Sequence, residues 1–340
     1  MDDKIELLSE ELIDKRPHVA LDVMAMSARL QKPLGWHYLL DLIWVLSELD
    51  LMPGATILEE GAGLGVLQFV LAERGYKVIS ADMAVREPKP AVRGMFDIRF
   101  MGTEGRIEHP YLAHQGGAEK PRHAAMSKTA WQSFLNSRVR DVPTRLLGRL
   151  KKKETVKPNQ GLDADRLPEI IFYRTNIWSM PEMAPASVDA VVSISALEHN
   201  EPQVVKQIQQ EAMRIVRPGG VILHTVSAVL NPGETFHEES HSWLLDKEGL
   251  KAAYLLEDPW SNYDRFDGIA AEIRNPRYLK RYLSHSYFQS GRNGMPWGIW
   301  QPEYLPVGIR KSVKTEMSIE TDRKMPVRNL TNSKAMEKGV

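Results

Sequence analysis

A glycine-rich loop after a short apolar run is the first feature of the sequence whose spacing suits ligand binding. Residues 61–65 (GAGLG) come directly after residues 56–60 (TILEE). Glycine lets the backbone turn sharply and approach a ligand closely, and a helix that begins after such a loop presents free N–H groups. The dinucleotide-binding pattern G-x-G-x-x-G needs glycine at its sixth position, where this chain has Val66. The spacing therefore favours a different adenosine ligand.

Four blocks of sequence, in the same order along the chain, resemble motifs of the class I S-adenosylmethionine-dependent methyltransferase family. ILEEGAGLG resembles the first motif, and VISADMA resembles the second, which ends at an acidic position. VDAVVSISALEHN and EAMRIVRPGGVILHT resemble two later motifs, with Val188 replacing the usual aromatic residue. The resemblance covers about residues 57–83 and 170–228. It implies that S-adenosyl-L-methionine is the cofactor and that the chain is a methyltransferase.

The resemblance also assigns cofactor-binding roles to particular side chains. The carboxylate of Asp82 suits the two ribose hydroxyls, and Asn176 suits the edge of the adenine. The glycine-loop backbone and the side chain of Glu59 suit the ammonium and carboxylate of the methionyl tail. An alternative for Asp82 is that it only caps a turn or a helix. The complete set of predicted cofactor residues is Glu59, Gly61, Ala62, Gly63, Gly65, Asp82, Met83, Asn176, Ile177 and Ser195.

Three histidines are candidate catalytic residues. Methyl transfer from a sulfonium depends mainly on positioning, and a base is needed only if the acceptor must lose a proton, as a hydroxyl does. His199 follows the apolar run VVSI, and a histidine pKa lies near working pH, so it is a candidate base. His237 and His241 follow the apolar run VILHTV and are candidates for base or acceptor binding. The alternative is that all three are structural or surface residues.

The segment HEESH (residues 237–241) also satisfies the zinc-binding pattern H-E-x-x-H. On a helix this pattern places two imidazoles one turn apart as zinc ligands, with Glu238 as the base. The segment follows Asn-Pro-Gly-Glu, lacks apolar helical flanks, and has no continuation toward a third histidine. We therefore predict that the protein has no metal site.

Apolar runs that alternate with helical patterns predict how these residues are positioned. Strand-like runs at 56–58, 77–81, 170–173, 188–194 and 221–226 are separated by helical patterns, which is typical of an α/β fold. Together with the resemblance, this predicts a doubly wound, mostly parallel Rossmann-like methyltransferase sheet, whose ligands lie beyond the carboxyl ends of the strands. We predict N-terminal helices in residues 1–55, with a helical pattern from Ile5, and a methyltransferase domain over 56–313. PVGIRKSV near the end resembles the last strand of the family's sheet.

Two segments do not follow this alternation. Residues 84–168 contain 17 Lys and Arg against 9 Asp and Glu, a balance of +8, interleaved with Trp131 and Phe134. We predict that they form a basic helical insertion, serving as a lid, a peripheral membrane contact, or a groove for an anionic substrate or nucleic acid. The alternative is a solvated helical excursion. Residues 314–340 are polar without apolar periodicity and predict a mobile tail.

The composition excludes several classes of protein. Hydrophobic residues make up 43% of the chain, which predicts a globular protein, and the absence of cysteine excludes disulfide scaffolds and thiolate nucleophiles. The 44 basic and 44 acidic residues argue against a wholly basic nucleic-acid binder. We see no signal peptide and no run of about 18 apolar residues, so we expect a cytoplasmic protein without a transmembrane segment.

The sequence therefore predicts an S-adenosylmethionine-dependent methyltransferase acting on a hydroxyl of a small molecule or glycan. The basic insertion suits an anionic acceptor, for example a phosphorylated or nucleotide-linked one. The alternatives are a protein or peptide acceptor, an RNA acceptor, and a non-catalytic binding protein that keeps the fold.

Overall fold

The computed structural model describes residues 2–32, 34–84, 88, 90–102, 167–283 and 300–314, and its core is a mixed β-sheet. The strands are β1 (Lys4–Leu7), β2 (Thr56–Glu60), β3 (Lys77–Asp82), β4 (Asp97–Gly102), β5 (Glu169–Arg174), β6 (Val188–Ile194), β7 (Val216–Ala228), β8 (Glu234–His237), β9 (Ser242–Leu245), β10 (Trp260–Ser261) and β11 (Leu305–Ser312). Within this part of the chain the order across the sheet is β10-β1-β11-β7-β6-β2-β3-β5-β4. The β8–β9 hairpin is attached to β7 through β9.

Helices cover the sheet. They are α1 (Glu11–Lys15), α2 (Pro17–Leu30), α3 (Tyr38–Glu48), α4 (Leu67–Glu73), α5 (Pro90–Arg93), α6 (Pro202–Ile215), α7 (Lys247–Ala253), α8 (Phe266–Arg274) and α9 (Leu279–Tyr282), with 3-10 turns at Leu197–His199 and Tyr263–Arg265. α6 shows why these segments are helical, because Pro202 suits its first turn and Val205, Ile208, Ala212 and Ile215 are buried at helical spacing. In α3 every residue from Leu39 to Leu46 is buried.

The centre of the sheet is parallel, as predicted. β4, β5, β3, β2, β6 and β7 pair in parallel, and β11 then pairs antiparallel with β7. The apolar run over β6 is buried on both faces because helices lie on both sides of it. The carboxyl ends of these parallel strands lie at one edge of the sheet, so the loops that follow β2, β3, β5, β6 and β7 meet there. The predicted fold class is confirmed.

The N-terminal segment differs from its prediction. The expected helix from Ile5 is wrong for residues 4–7, which form β1 between β10 and β11. Ile5 and Leu7 are fully buried while Lys4 and Glu6 are half-buried, so the residues alternate with the period of two typical of a strand. Helices follow only from Glu11.

The start of the insertion also differs from its prediction. A helical segment was expected over 84–168, but residues 97–102 form β4, which pairs with β5 at the edge of the sheet. The alternating apolar side chains Ile98 and Phe100 suit a strand, and Phe100 stacks on Phe172 of β5 with ring centroids 5.8 Å apart. Residues 103–166, with Trp131 and Phe134, and the predicted tail beyond 314 lie outside the described residues. Among the described helices none is long and apolar enough to cross a membrane.

Candidate active site

The glycine loop between β2 and α4 is a narrow turn in which Gly61 and Gly65 have no room for a side chain. Gly61 and Gly63 have φ angles of +65° and +51°, which L-residues with side chains rarely adopt. A Cβ on Gly61 would lie 2.5 Å from the Cβ of Ala196, and one on Gly65 would lie 3.1 Å from the carbonyl oxygen of Ala62. The loop therefore brings bare backbone to the carboxyl edge of the sheet, as close approach to a ligand requires.

Asp82 lies at the carboxyl end of β3, directly beside this loop. The N–H of Gly63 donates to Oδ2 of Asp82 at 2.8 Å, and the N–H of Ala84 donates to Oδ1 at 2.7 Å. Asp82 therefore caps this turn, which is the alternative role that the sequence allowed for it. It is compatible with the ribose-binding role, because each carboxylate oxygen has a second lone pair and the side chain is half-buried. Met83 is the next residue along this edge.

Asn176 and Ile177 follow β5 in a short turn closed by the N–H of Ser179, which donates to the carbonyl of Asn176 at 3.1 Å. Oδ1 of Asn176 is buried and has no hydrogen-bond partner within the described ranges. An orphaned acceptor of this kind fits the amino group of an adenine, and the buried side chain of Ile177 lies beside it in sequence. The orphaned oxygen and the bare glycine loop both fit an adenosine cofactor.

Glu59 is the penultimate residue of β2, lies close to Gly65 of the loop and is 2% exposed. Ser80 donates to its carboxylate at 3.4 Å, and the amide of Gln68 donates to it at 3.2 Å when the amide nitrogen faces Glu59. Burial raises the pKa of Glu59 to about 8, and the neighbouring Ser80 and Lys32 only partly oppose the rise. A cation placed beside this carboxyl, such as the ammonium of a methionyl tail, would restore its charged form.

The three predicted catalytic histidines lie around the β8–β9 hairpin. His237 is the last residue of β8, and its ring lies 2.8 Å from Ser240 Oγ and 3.1 Å from Glu303 Oε2. His241 is exposed, with φ of +51°, and its carbonyl accepts a hydrogen bond from Nδ1 of His199 at 2.8 Å. The structure thus connects His199 with His241 through the backbone, whereas the ring of His237 is held by protein side chains.

The β8–β9 hairpin excludes the helical conformation that HEESH would need in order to bind zinc through the H-E-x-x-H pattern. Residues 238–241 form the turn between two antiparallel strands, so the two imidazoles are not one helical turn apart. The Asn-Pro-Gly before β8 suits a turn and not a long helix. In the part of the chain that the structure describes, no group of three or more His, Asp or Glu side chains is placed to hold a metal ion.

A buried polar cluster that the sequence analysis missed lies at the amino end of α3. Nδ1 of His37 is 2.7 Å from Oδ2 of Asp41, one helical turn later, and the two residues are 8% and 1% exposed. Aromatic rings surround the imidazole: Tyr38 stacks on it at 4.7 Å, and Trp36 and Tyr304 meet it edge-on at 5.1 and 6.1 Å. We call these five residues the His37 cluster.

Glu198 adds a second buried carboxylate next to the His37 cluster. It lies in the 3-10 turn after β6 and is 4% exposed. Ser195 donates to its Oε1 at 2.5 Å, while Oε2 has no hydrogen-bond partner among the described residues. Burial raises the pKa of both Tyr38 and Tyr304, and the charge of Glu198 adds to the rise, so both phenols stay protonated and can donate hydrogen bonds.

A family model described as a methyltransferase domain matches residues 141–224. The described part of this match contains β5, β6, α6 and most of β7. The loops after these three strands contain Asn176, Ser195 and the β8–β9 hairpin. The chain carries a class I S-adenosylmethionine-dependent methyltransferase domain. The predicted family, enzyme class and cofactor are confirmed.

Solved structures with a similar chain path include other methyltransferases. A methyltransferase from Methanosarcina mazei is 18% identical, covering 55% of this chain and 58% of its own, with a TM-score of 0.29. A putative sarcosine dimethylglycine methyltransferase from Galdieria sulphuraria is 14% identical over 80% and 84%, with a TM-score of 0.36. A phosphoethanolamine N-methyltransferase from Haemonchus contortus is 14% identical over 90% and 60%, with a TM-score of 0.42.

This methyltransferase thus spans less than two thirds of the Methanosarcina and Haemonchus chains. At these identities and scores, the likenesses carry no argument about substrate. No curated protein matches the sequence significantly.

The cofactor side and the His37 cluster of the methyltransferase meet at the carboxyl end of β6. Gly61 of the glycine loop abuts Ala196, the preceding Ser195 bonds to Glu198, and Ser195 also faces the phenol of Tyr38. When bound, S-adenosylmethionine supplies an electrophilic methyl group on a sulfonium. The arrangement therefore places buried hydrogen-bond acceptors and a histidine beside the segment that contacts the glycine loop.

Sequence reasoning missed the His37 cluster for an identifiable reason. The stretch GWHYLLDLIWVL has an apolar helical pattern, and its polar residues were not considered as a pair. His37 and Asp41 are four positions apart, so they lie on the same face of the helix. A histidine and an aspartate that share a face within an otherwise apolar helix are a signal that could have found the site.

Proposed function

We propose that this methyltransferase methylates a hydroxyl group of a small molecule or glycan. The observation that carries the proposal is the buried Oε2 of Glu198, which has no hydrogen-bond partner in the described part of the chain. An unpaired buried carboxylate oxygen is costly, and an acceptor hydroxyl that donates to it removes this cost. This oxygen belongs to the 3-10 turn after β6, and the residue just before that turn lies against the glycine loop. We therefore propose that the acceptor lies beside this oxygen.

The aromatic residues around this oxygen support a sugar or another ring as the acceptor. Trp36 meets Trp300 edge-on with ring centroids 5.7 Å apart, and it is also 5.9 Å from the ring of Tyr304. Trp300 is half-buried and keeps an accessible apolar surface that suits the C–H face of a sugar, while the phenol groups of Tyr38 and Tyr304 can donate to its oxygens. Rings beside a carboxylate suit a polyhydroxylated acceptor.

The buried carboxylates of this site restrict where an anionic group of the acceptor can lie. Asp41 and Glu198 are both carboxylates, so a phosphate directly beside the reacting hydroxyl is disfavoured. A phosphorylated or nucleotide-linked acceptor is compatible with this site if basic side chains of residues 84–168 bind its anionic part. The alternative acceptors, a protein, a peptide or RNA, and contact with a membrane surface all depend on this insertion. A non-catalytic binding protein is a further alternative.

The residue assignments are part of the proposal. For cofactor binding we retain the predicted set from Glu59 to Ser195, in which Asp82 holds the ribose and Asn176 the adenine. His199, His237 and His241 remain predictions for catalysis or acceptor binding. Among them His199 has Nδ1 engaged as a donor to the carbonyl of His241, which leaves its other nitrogen as the basic one.

The first test is cofactor binding. Asp82→Ala removes a carboxylate hydrogen-bonded at both oxygens, so calorimetry should show S-adenosylmethionine affinity about 10- to 100-fold weaker than in the native chain. Asp97→Ala is the matched control, because Asp97 is a half-buried strand residue away from the loop and should leave affinity unchanged. Absence of binding to the native protein would refute the cofactor assignment.

The acceptor class is tested by incubating the native enzyme with a labelled cofactor and a panel of sugars, phosphosugars and phenols, together with amines as competitors. We expect a methyl ether among the products, identified by mass spectrometry and NMR. Methylation at nitrogen or carbon alone would contradict the proposed hydroxyl acceptor while leaving the methyltransferase assignment intact.

A further inference from the structure

His37 has the surroundings of a general base. Its Nδ1 lies 2.7 Å from the carboxylate of Asp41, so Nδ1 carries the proton and Nε2 is the basic nitrogen. Within the described residues no hydrogen bond to Nε2 is formed. The ring is held between Tyr38 on one face and the edges of Trp36 and Tyr304, so its orientation is fixed before any substrate arrives.

The position of α3 brings this histidine to the reacting edge of the sheet. α3 packs on β6, β7 and β11, with Asp41 beside Thr225 near the carboxyl end of β7. Tyr38, the first residue of the helix, faces Ser195 at the end of β6. Ser195 precedes Ala196, which abuts Gly61 of the glycine loop. One short chain of contacts therefore joins the His37 cluster to the cofactor loop.

We propose that His37 is the general base of the reaction and that Asp41 is its positioning residue. This inference rests on the proposed function, since a hydroxyl acceptor must lose its proton when it is methylated. The acceptor oxygen forms a bond to the methyl carbon, the carbon–sulfur bond breaks, and its electron pair stays on sulfur as a neutral thioether. The hydroxyl proton passes to Nε2 of His37, and the resulting imidazolium is stabilised by the carboxylate of Asp41.

The other histidines at this end of the molecule fit the role less well. His224 is 1% exposed and lies 3.4 Å from Glu60 in the interior, next to Tyr254. It precedes Thr225 on β7, so it points to the face opposite Asp41. Nδ1 of His199 donates to the backbone carbonyl of His241, whereas Nδ1 of His37 faces a buried carboxylate.

The groups facing His37 set its protonation. Asp41 faces it from its own helix, Glu198 from the 3-10 turn after β6, and the phenols of Tyr38 and Tyr304 from α3 and the start of β11. Burial lowers the pKa of His37, but the charges of Asp41 and Glu198 outweigh burial and raise the pKa above 6.5. The imidazole is therefore protonated at low pH, and the basic form appears as the pH rises.

Activity provides the first readout. His37→Ala should lower kcat about 100-fold or more, with S-adenosylmethionine affinity by calorimetry unchanged, and added imidazole should restore part of the rate. His18→Ala, an exposed histidine of α2, is the matched control and should keep the native rate. Native turnover in a folded His37→Ala protein, or loss of turnover in His199→Gln but not in His37→Ala, would overturn the assignment.

A second readout does not require turnover. NMR titration of the histidine rings in the cofactor-free protein should show a His37 pKa above 6.5, and Asp41→Asn should lower that pKa. The ascending limb of the kcat/KM profile should move to lower pH in the same variant, because the charge that favours the imidazolium is removed. If neither the pKa of His37 nor the ascending limb of the kcat/KM profile shifts in this variant, Asp41 does not position His37 and the proposal fails. A native enzyme that methylates only amines would instead remove the proposed function.

Discussion

At the scale of single residues, Glu59 stands out because its carboxyl is buried and the positive charge of Lys32 only partly opposes the effect of burial. Its carboxyl has a pKa of about 8, since burial disfavours the charge. At pH 7 the group is therefore mostly protonated in the absence of ligand. A ligand ammonium beside it would reverse this preference, so cofactor binding and deprotonation of Glu59 are linked.

We predict that S-adenosylmethionine binding at pH 7 releases close to one proton and that affinity rises with pH until about 8. Calorimetry in buffers of different ionisation enthalpy measures the proton number directly. Glu59→Gln should abolish the release. The matched control is Glu60→Gln, which alters a neighbouring buried carboxyl that pairs with His224 on β7. Zero proton exchange in the native protein would contradict the role given to Glu59.

The residues on the cofactor side could be predicted from the sequence because each ends an apolar run. Glu59 and Asp82 follow runs that can only be buried strands, and the glycine spacing between them matches a known family. His37 and Asp41 could not be predicted as readily, because their partners Glu198 and Tyr304 are far away in the chain. Only the folded sheet brings these four residues together.

At the scale of elements, β1 is fixed at the edge of β11 by a buried ion pair. Nζ of Lys311 lies 2.9 Å from Oδ2 of Asp3, and both side chains are 8% exposed. Oδ1 of Asp3 accepts a hydrogen bond from the N–H of Ser312 at 3.1 Å. Removing one member would leave the other charge buried without a partner.

We predict that Asp3→Ala lowers the free energy of unfolding by about 3 kcal/mol, measured by urea denaturation. The exposed pair between Lys314 and Glu257, at 2.9 Å, is the control, and Glu257→Ala should cause no measurable change because solvent screens that pair. Equal effects of the two substitutions would show that β1 is not held by the buried pair. In that case β1 is fixed by its apolar residues alone.

The predicted elements differ in how clearly their patterns identify them. The parallel strands are recognisable because they are continuous apolar runs, as in VDAVVSI. β1 is four residues long and β4 is six residues long, and in both strands some of the side chains are only half-buried. Their short alternating patterns were therefore included in the neighbouring predicted helical segments. Short length explains both wrong predictions, and β4 in addition lies at the edge of the sheet.

At the scale of the whole molecule, a close contact between α3 and β11 helps to position His37. Gly308 of β11 faces Trp44 of α3, and a Cβ on Gly308 would lie 2.3 Å from the indole ring. The indole nitrogen donates to Glu6 of β1 at 2.9 Å, so the helix is also tied to the edge of the sheet. The N-terminal segment and the final strand therefore position the histidine together.

We predict that Gly308→Ala destabilises the protein by about 1 to 3 kcal/mol and lowers kcat more than it weakens cofactor binding, because α3 must shift away from β11. Gly268→Ala is the control, since that exposed glycine of α8 has open space around it and should stabilise the helix slightly. Thermal unfolding, turnover and calorimetry on both variants make the comparison. If turnover is unchanged in a destabilised Gly308→Ala protein, the packing of α3 on β11 is not required for catalysis and the prediction is wrong.

The pairing of β1 with β11 also has a consequence for synthesis of the protein. Ile5 pairs with Ile309, so the first described strand cannot pair with β11 until about 300 further residues have left the ribosome. At roughly 5 to 20 residues per second, that wait lasts about 15 to 60 s. The parallel centre of the sheet can assemble earlier, and the nascent chain must keep Ile5 and Leu7 from other contacts during this interval. Completion of the His37 cluster, which requires Tyr304 as well, is therefore among the last events of folding.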